Sequence, residues 1–174
     1  MLLIRITNEV VPGFVHLYEK VNLGGVSRKA ELYYAFAHHA HGELDFTVAR
    51  DVSKPTGNRY GEFDECPPNR RGEPYTATVT KHTSTETFAL RLTEKDRKTL
   101  RGIGPTERSG MLIHTGFDID GATAACSQGC LVIGGGRAGH ECFEAFMKEY
   151  FDYPNRNEVM VYVDSRHQDS PLSR

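Results

Sequence analysis

Short segments in which apolar and polar residues alternate, or in which β-branched and aromatic residues cluster, run through most of the chain. The segments of this kind are 2–7, 14–18, 31–39, 43–50, 74–82, 87–92, 111–113, 131–133 and 159–163. Such segments are typical of β-strands. Val11-Pro12-Gly13 predicts a turn between the first two segments, and Gly42 predicts a hairpin between the next two.

Apolar residues spaced three and four apart predict one clear helix over residues 137–151, ended by Pro154. Its apolar face would consist of Phe143, Phe146, Met147 and Tyr150. A second, short helix is expected to open at Thr93, which can cap it, with acidic residues in its first turn. The fold class predicted is therefore mainly β, a β-sandwich with one or two packed helices.

The sequence predicts a single domain followed by a short tail. Its 174 residues are enough for one domain with a proper core, which we expect over residues 1–164, followed by a polar tail at 165–174. Residues 51–73 are rich in Pro, Gly, Asn, Arg and acidic residues, and they predict a long surface loop.

Charge and hydropathy exclude two classes of function. The net charge is −2 and the basic residues are scattered, so the basic surface that nucleic-acid binding requires is not expected. No apolar run approaches the roughly 18 residues that span a membrane. Three apolar residues after Met1 precede Arg5, too few for the core of an export signal, so the N-terminus is expected to be a strand.

The candidate chemistry lies between residues 111 and 136. His114 ends one apolar segment and Cys130 begins another, sixteen residues later. Strand ends hold side chains in place while the adjoining loops leave them accessible, which suits a nucleophile and its base. Ser127-Gln128-Gly129 predicts a tight turn whose N–H groups can converge on an oxyanion. The alternative for any Cys/His pair is a buried cysteine beside an incidental histidine.

A histidine base needs a third group that orients its ring, either a carboxylate or a backbone carbonyl. Asp118 and Asp120 are close to His114 in sequence, and the sequence leaves both kinds of partner open.

The pattern Ile113-His114-x-Gly116, followed by Ser127-x-Gly129-Cys130-Leu131, resembles the signature of L,D-transpeptidase catalytic domains, the YkuD fold. The resemblance implies that Cys130 is the acylated nucleophile, that His114 is its base, that Ser127 supports the turn, and that the Gly129 and Cys130 amides help form the oxyanion hole. It implies attack on a peptide bond of a peptidoglycan stem, a thioester, and then transpeptidation by an amine or carboxypeptidase cleavage by water. It implies no cofactor.

The chain differs from the family pattern in two places. Thr115 separates the histidine from the glycine, and Val132 stands where an arginine commonly anchors the substrate carboxylate. Candidates to replace that arginine are Arg108, Arg137 and the pair Arg70-Arg71. Arg108, Arg137 and Gly116 are therefore the expected substrate-binding residues.

Compact variants with a similar motif occur among L,D-transpeptidase-like toxins delivered by type VI secretion. The small size and the N-terminus without an export signal fit such an effector. On this reading the protein acts in a bacterial periplasm after export by a route other than Sec, and its partners are stem peptides and a cognate immunity protein.

The sequence is also compatible with three alternatives to a transpeptidase-like enzyme. Cys126, Cys130, His140 and Cys142 offer four zinc ligands within seventeen residues, although their spacing is not that of a known knuckle. A disulfide from Cys126 to Cys130 or Cys142 would brace the loop. The third alternative is a cell-wall-binding module without catalysis.

Histidines at two other places in the sequence are of interest. His140 is an alternative base, for which a helix-capping or surface role is favoured. The group His38-His39-x-His41 is expected to be a solvated hairpin tip rather than a metal site.

Overall fold

The alternating segments form the strands of one closed sheet. A computed structural model describes residues 1–20, 26–50, 66–83, 86–95, 97–102, 108–115, 130–154 and 158–165, with side chains for all of these except 13–20 and 26–30. The barrel strands are β1 (Leu2–Lys20), β2 (Val26–His39), β3 (Gly42–Ala49), β4 (Tyr75–Lys81), β5 (Phe88–Thr93), β8 (Leu112–Thr115), β9 (Leu131–Ile133) and β10 (Val159–Val163). A separate two-stranded sheet contains β6 (Thr99–Leu100) and β7 (Arg108–Ser109), and the helix α1 is Gly136–Asp152.

The order of strands around the barrel is β1-β10-β4-β5-β8-β9-β3-β2. Neighbouring strands are antiparallel except for β1 with β10 and β8 with β9, which are parallel. The prediction of a mainly β fold is confirmed. The sheet closes on itself, however, so the described strands form one barrel rather than the two facing sheets of a sandwich.

Alternation along the strands fills the barrel interior with apolar side chains. Leu2, Ile4 and Ile6 of β1 are completely buried, and so are Val161 and Val163 of the parallel neighbour β10. These residues belong to one apolar cluster that includes side chains from every barrel strand. Because successive residues of a strand point to opposite faces, the residues between them lie on the outer face of the barrel.

The helix α1 covers one end of this interior. Phe143, Met147 and Tyr150 are completely buried and belong to the barrel cluster, and the Phe143 ring centroid lies 5.1 Å from that of Phe46. The helix predicted from the apolar spacing is therefore confirmed, together with its buried face. Within the residues that the structure describes, no helix is long and apolar enough to cross a membrane.

The turn predicted at Val11-Pro12-Gly13 is wrong. The strand β1 continues through these residues, and its pairing with β2 extends from Leu3 with His38 to Lys20 with Val26. Two register shifts lie between residues 6 and 15. Irregularities of this kind accept a proline, which cannot donate to the ladder, without ending the strand.

The second helix, expected from Thr93, is also wrong. Thr93 is the last residue of β5, and a turn follows in which the Glu94 carboxylate accepts hydrogen bonds from the N–H groups of Arg101 (2.7 Å) and Gly102 (2.6 Å). An acidic residue at the start of a helix accepts hydrogen bonds from backbone N–H groups that have no partner within the helix. Glu94 accepts hydrogen bonds from backbone N–H groups in the same way, but these groups belong to a loop.

The end of the predicted surface loop is buried. Cys66 and Asn69 are each 1% exposed, and the Asn69 side-chain oxygen accepts a 2.6 Å hydrogen bond from the Val163 N–H at the end of β10. The Tyr75 hydroxyl donates to the Pro67 carbonyl at 2.8 Å. These contacts lie at the end of the barrel opposite to α1.

The prediction that the histidines at the β2–β3 hairpin are all solvated is wrong for His39. His39 is 6% exposed, and its ring centroid lies 4.9 Å from that of Phe146 and 5.5 Å from that of Tyr150. The end of β2 is packed against α1, so His39 is part of the helix contact. His38 and His41 are exposed.

Candidate active site

The parallel strands β8 and β9 bring Cys130 and His114 to one face of the sheet. Ile113 pairs with Leu131 and His114 pairs with Val132. Ile113 and Leu131 point into the barrel, so the residues that flank them point outward. Cys130 and His114 are thus on the outer face, on neighbouring strands and offset by two positions. A strand spacing of about 4.8 Å and a rise of about 3.3 Å per residue put their Cα atoms roughly 8 Å apart.

The Cys130 thiol is half-buried, directly before the first residue of β9. Its Sγ accepts a 3.4 Å hydrogen bond from the Leu112 N–H and donates to the Gly110 carbonyl at 3.8 Å. Burial raises the pKa of this thiol, opposed by the Leu112 hydrogen bond and by the positive charge of Arg108. Because burial is the largest of these effects, the resting group at neutral pH is a thiol, and a nucleophilic role requires a base.

His114 has the form that a base needs. Its Nδ1 lies 2.6 Å from the Thr115 carbonyl oxygen, and since a carbonyl can only accept, Nδ1 carries the proton. In the neutral ring the lone pair then lies on Nε2. The ring is 4% exposed, and burial lowers its pKa to about 4, with smaller contributions from His82 and His140.

The group that orients His114 is therefore a backbone carbonyl, one of the two kinds of partner that the sequence left open. That carbonyl belongs to Thr115, the residue that separates the histidine from the glycine of the family pattern. Asp118 and Asp120 lie outside the described residues.

His82 was missed in the sequence. It follows β4, and its ring is stacked on that of His114, with centroids 4.4 Å apart and planes 25° apart. Its N–H donates to the Thr87 carbonyl, which closes the turn between β4 and β5, and β5 pairs with β8. In the sequence, His82 is only a histidine at the end of a predicted strand. Its contact with His114 depends on the order of the strands in the sheet, which the sequence does not show.

His140 is neither a helix cap nor a surface residue. It is 2% exposed on the inner face of α1, its Nε2 lies 3.3 Å from a carboxylate oxygen of Glu144, and the residue before the helix is Gly135 in a left-handed conformation without a side-chain cap. His140 influences the pKa of His114, so the start of α1 lies near the candidate base.

A glycine-rich turn explains how α1 begins so close to β9. A Cβ at Gly139 would overlap with the Gly134 carbonyl, and a Cβ at Gly134 would overlap with the Thr47 hydroxyl. Gly135 has φ +80°, in the region that favours glycine. Three glycines in contact therefore allow the first turn of α1, with His140, to pack against the end of β9, the strand that follows Cys130.

The candidate arginines are in different places. Arg108 lies in β7 and is close enough for its charge to lower the pKa of Cys130, as described above. Arg137 is exposed in the first turn of α1 and acts on His140. Arg70 is exposed, and its Nε donates to the Gly102 carbonyl at 3.3 Å. Arg108 is thus the candidate that the fold brings to the thiol.

Three residues of the sequence motif lie outside the described residues, namely Gly116, Ser127 and Gly129, and so does Cys126 of the zinc and disulfide alternatives. Their expected roles in the oxyanion hole, the turn and the substrate site stay predictions.

The zinc alternative is not assembled by α1. His140 is buried and Cys142, two residues later, is exposed, so the two side chains point to different sides of the helix. Among the described residues, no group of three or more His, Cys, Asp or Glu side chains is placed to hold a metal ion. The disulfide that would brace the loop involves Cys126, which lies outside the described residues, so it stays a prediction.

Comparison of the chain with protein-family models, with curated proteins and with solved structures found no match.

Proposed function

We propose that this protein is a cysteine-dependent acyltransferase or peptidase that acts on peptidoglycan stem peptides through a thioester on Cys130. The observation that carries the proposal is the placement of Cys130 and His114 on one face of neighbouring strands, with the Thr115 carbonyl leaving His114 Nε2 as the proton acceptor. The motif around the two residues supports the substrate class, through its resemblance to L,D-transpeptidases.

The proposed reaction begins when Cys130 Sγ attacks the carbonyl carbon of an L,D- or D,D-type peptide bond while its proton moves to His114 Nε2. The tetrahedral intermediate carries its negative charge on the former carbonyl oxygen. It collapses as His114 gives the proton to the leaving amine, and an acyl thioester remains on Cys130. An amine or water then attacks the thioester with His114 again accepting a proton, and the thiol is restored.

Arg108 is the proposed anchor for the substrate carboxylate. The family pattern has an arginine at the position of Val132, but here Val132 is buried in a small outer cluster with Val11, Leu32 and Ala49. A charged side chain there would lose its hydration. Arg108 supplies a positive charge near Cys130 from a different strand.

The same resemblance supports the proposed setting. The protein acts in a bacterial periplasm as an effector delivered by type VI secretion, and the producing cell protects itself with an immunity protein.

The proposal is tested with defined tetra- and pentapeptide muropeptides, whose product masses are compared for the wild type, Cys130→Ala and His114→Ala. Loss of a terminal D-alanine indicates carboxypeptidation, and cross-linked or D-amino-acid-exchanged products indicate transpeptidation. Cys142→Ala is the matched control, because it removes an exposed thiol on the outer side of α1. Wild-type activity that survives Cys130→Ala, or binding of muropeptides without any turnover, contradicts the proposal. The second result favours the non-catalytic cell-wall module.

A further inference from the structure

We propose that His82 is a positioning residue that holds the His114 imidazole in its proton-accepting orientation by stacking on the face of the ring. A role of this contact in catalysis rests on the proposed function. The stacking of the two rings is a feature of the structure and does not depend on that function.

The ring geometry defines what His82 can do. Centroids 4.4 Å apart with planes 25° apart put the two imidazoles face to face. Ring nitrogens donate and accept in the plane of the ring, so this arrangement packs the rings rather than passing a proton from one to the other. His82 is therefore a platform for His114 and not a second member of a proton relay.

His114 needs such a platform because its described hydrogen bond fixes one ring atom. The bond from Nδ1 to the Thr115 carbonyl sets the tautomer and restricts rotation about the Cβ–Cγ bond, but a hydrogen bond tolerates a change of tens of degrees in its angle, so the ring can still tilt. A flat contact on the ring face removes that freedom. Small displacements of a catalytic group reduce rates strongly, by as much as about 100-fold for a shift of 1 Å.

The groups around His114 also keep it neutral. His82 faces it from the β4–β5 turn and His140 from α1, and burial lowers the pKa of both. Glu144 and Glu141 oppose this effect at His140, whereas Arg137 adds to it. A positive charge on His82 would disfavour an imidazolium at His114, and its bulk covers a ring that is 4% exposed.

Two substitutions separate stacking from charge. His82→Phe keeps a flat aromatic ring and removes the titratable group. His82→Ala removes both and opens the site to water. The pKa of His114 is followed by NMR through its ring C–H resonances. We expect this pKa to rise slightly in His82→Phe and more in His82→Ala, toward the value of a solvated histidine, because burial is the largest cause of its low value.

Turnover of muropeptides gives the second readout. We expect His82→Phe to keep kcat within about threefold of the wild type, and His82→Ala to lose about 10- to 100-fold in kcat with KM unchanged. Urea unfolding of both variants shows that they are folded. An unchanged His114 pKa in His82→Ala overturns the proposal. A His82→Phe variant as inactive as His114→Ala overturns it too, because His82 would then be the base. If the wild type shows no turnover, the proposed function fails, and the NMR titration still decides the positioning role.

Discussion

The protonation state of the resting Cys130–His114 pair leads to a sharp test by pH. Many cysteine nucleophiles exist as a thiolate–imidazolium pair before substrate binds, which makes their thiol reactive even in mild acid. In this protein burial acts against both charged forms, because it raises the pKa of Cys130 and lowers the pKa of His114 to about 4. We therefore expect both the thiol and the imidazole to be neutral in the resting protein.

The two pKa shifts set the expected pH dependence. The His114 pKa of about 4 lies below that of an ordinary histidine, and burial raises the pKa of the Cys130 thiol above that of an ordinary cysteine, which is about 8.5. Transfer of the thiol proton to His114 is therefore unfavourable in the resting protein. The thiolate is a minor form at pH 7, and its fraction rises about tenfold per pH unit until the thiol titrates.

The measurement is the rate of alkylation of Cys130 by iodoacetamide from pH 5 to pH 9, followed by mass spectrometry of its peptide. The rate is expected to rise about tenfold per pH unit between pH 6 and pH 8, in proportion to the thiolate. Arg108→Gln removes the charge that favours the thiolate and is expected to slow alkylation several-fold at pH 8. Arg137→Gln, at an exposed arginine that acts on His140, is the matched control.

One result would refute this reasoning. A rate that is flat between pH 5 and pH 8 and well above that of a simple thiol would mean that Cys130 is already a thiolate paired with a protonated histidine. A neutral buried pair would then be the wrong description of the resting site, and His114 would act as an acid in the first step.

Two further predictions concern stability. The His114 pKa of about 4 is below the roughly 6.5 of an unfolded histidine, so its neutral form contributes about 3 kcal/mol that is present above pH 6.5 and lost as pH falls to 4. His114→Gln is expected to flatten that part of the urea-unfolding free energy against pH, and equal slopes for both proteins would contradict this. The second prediction concerns Gly102→Ala, in which the new Cβ would overlap with the Pro68 carbonyl and the Tyr75 hydroxyl, at a φ of +49°. The control is Gly110→Ala, where φ is also positive (+69°) but no atom lies near the new Cβ. We expect Gly102→Ala to lower the unfolding free energy by roughly 1–3 kcal/mol more than the control. Equal losses would show that the packing around Gly102 adjusts.

The sequence was sufficient for the features that depend on local pattern. Alternation located the barrel strands, and the apolar spacing of Phe143, Met147 and Tyr150 located α1 and its buried face. Local pattern misled at Thr93 and Glu94, where helix-capping chemistry is used to close a loop. The local pattern also gave a wrong prediction at Pro12, where proline next to glycine indicates a turn. A strand with a bulge accommodates this proline without ending.

Features that depend on the order of the strands in the sheet cannot be predicted from the local sequence pattern. A row of alternating strands is compatible with two sheets or with one closed sheet, so the barrel was not predicted. His82 meets His114 because β5 lies between β4 and β8, and nothing near His82 in the sequence indicates that order. The sequence predicts only that a carboxylate or a backbone carbonyl orients His114, and it does not identify the carbonyl of Thr115, because a backbone contact leaves no residue type to recognise.

The relation between Cys130 and His114 shows how core packing determines the candidate chemistry. Cys130 precedes β9 and His114 is next to last in β8, so in a parallel pair they are on opposite sides of the Ile113–Leu131 pairing. The register offsets them by two positions, which is roughly 8 Å between their Cα atoms. Ile113 and Leu131 are completely buried in the barrel, and a shift of β9 by one residue would turn Leu131 outward and Cys130 inward. The apolar residues that stabilise this register therefore also keep the thiol and the imidazole on the same outer face, and a substitution that weakens the register is expected to separate the nucleophile from its base before it unfolds the barrel.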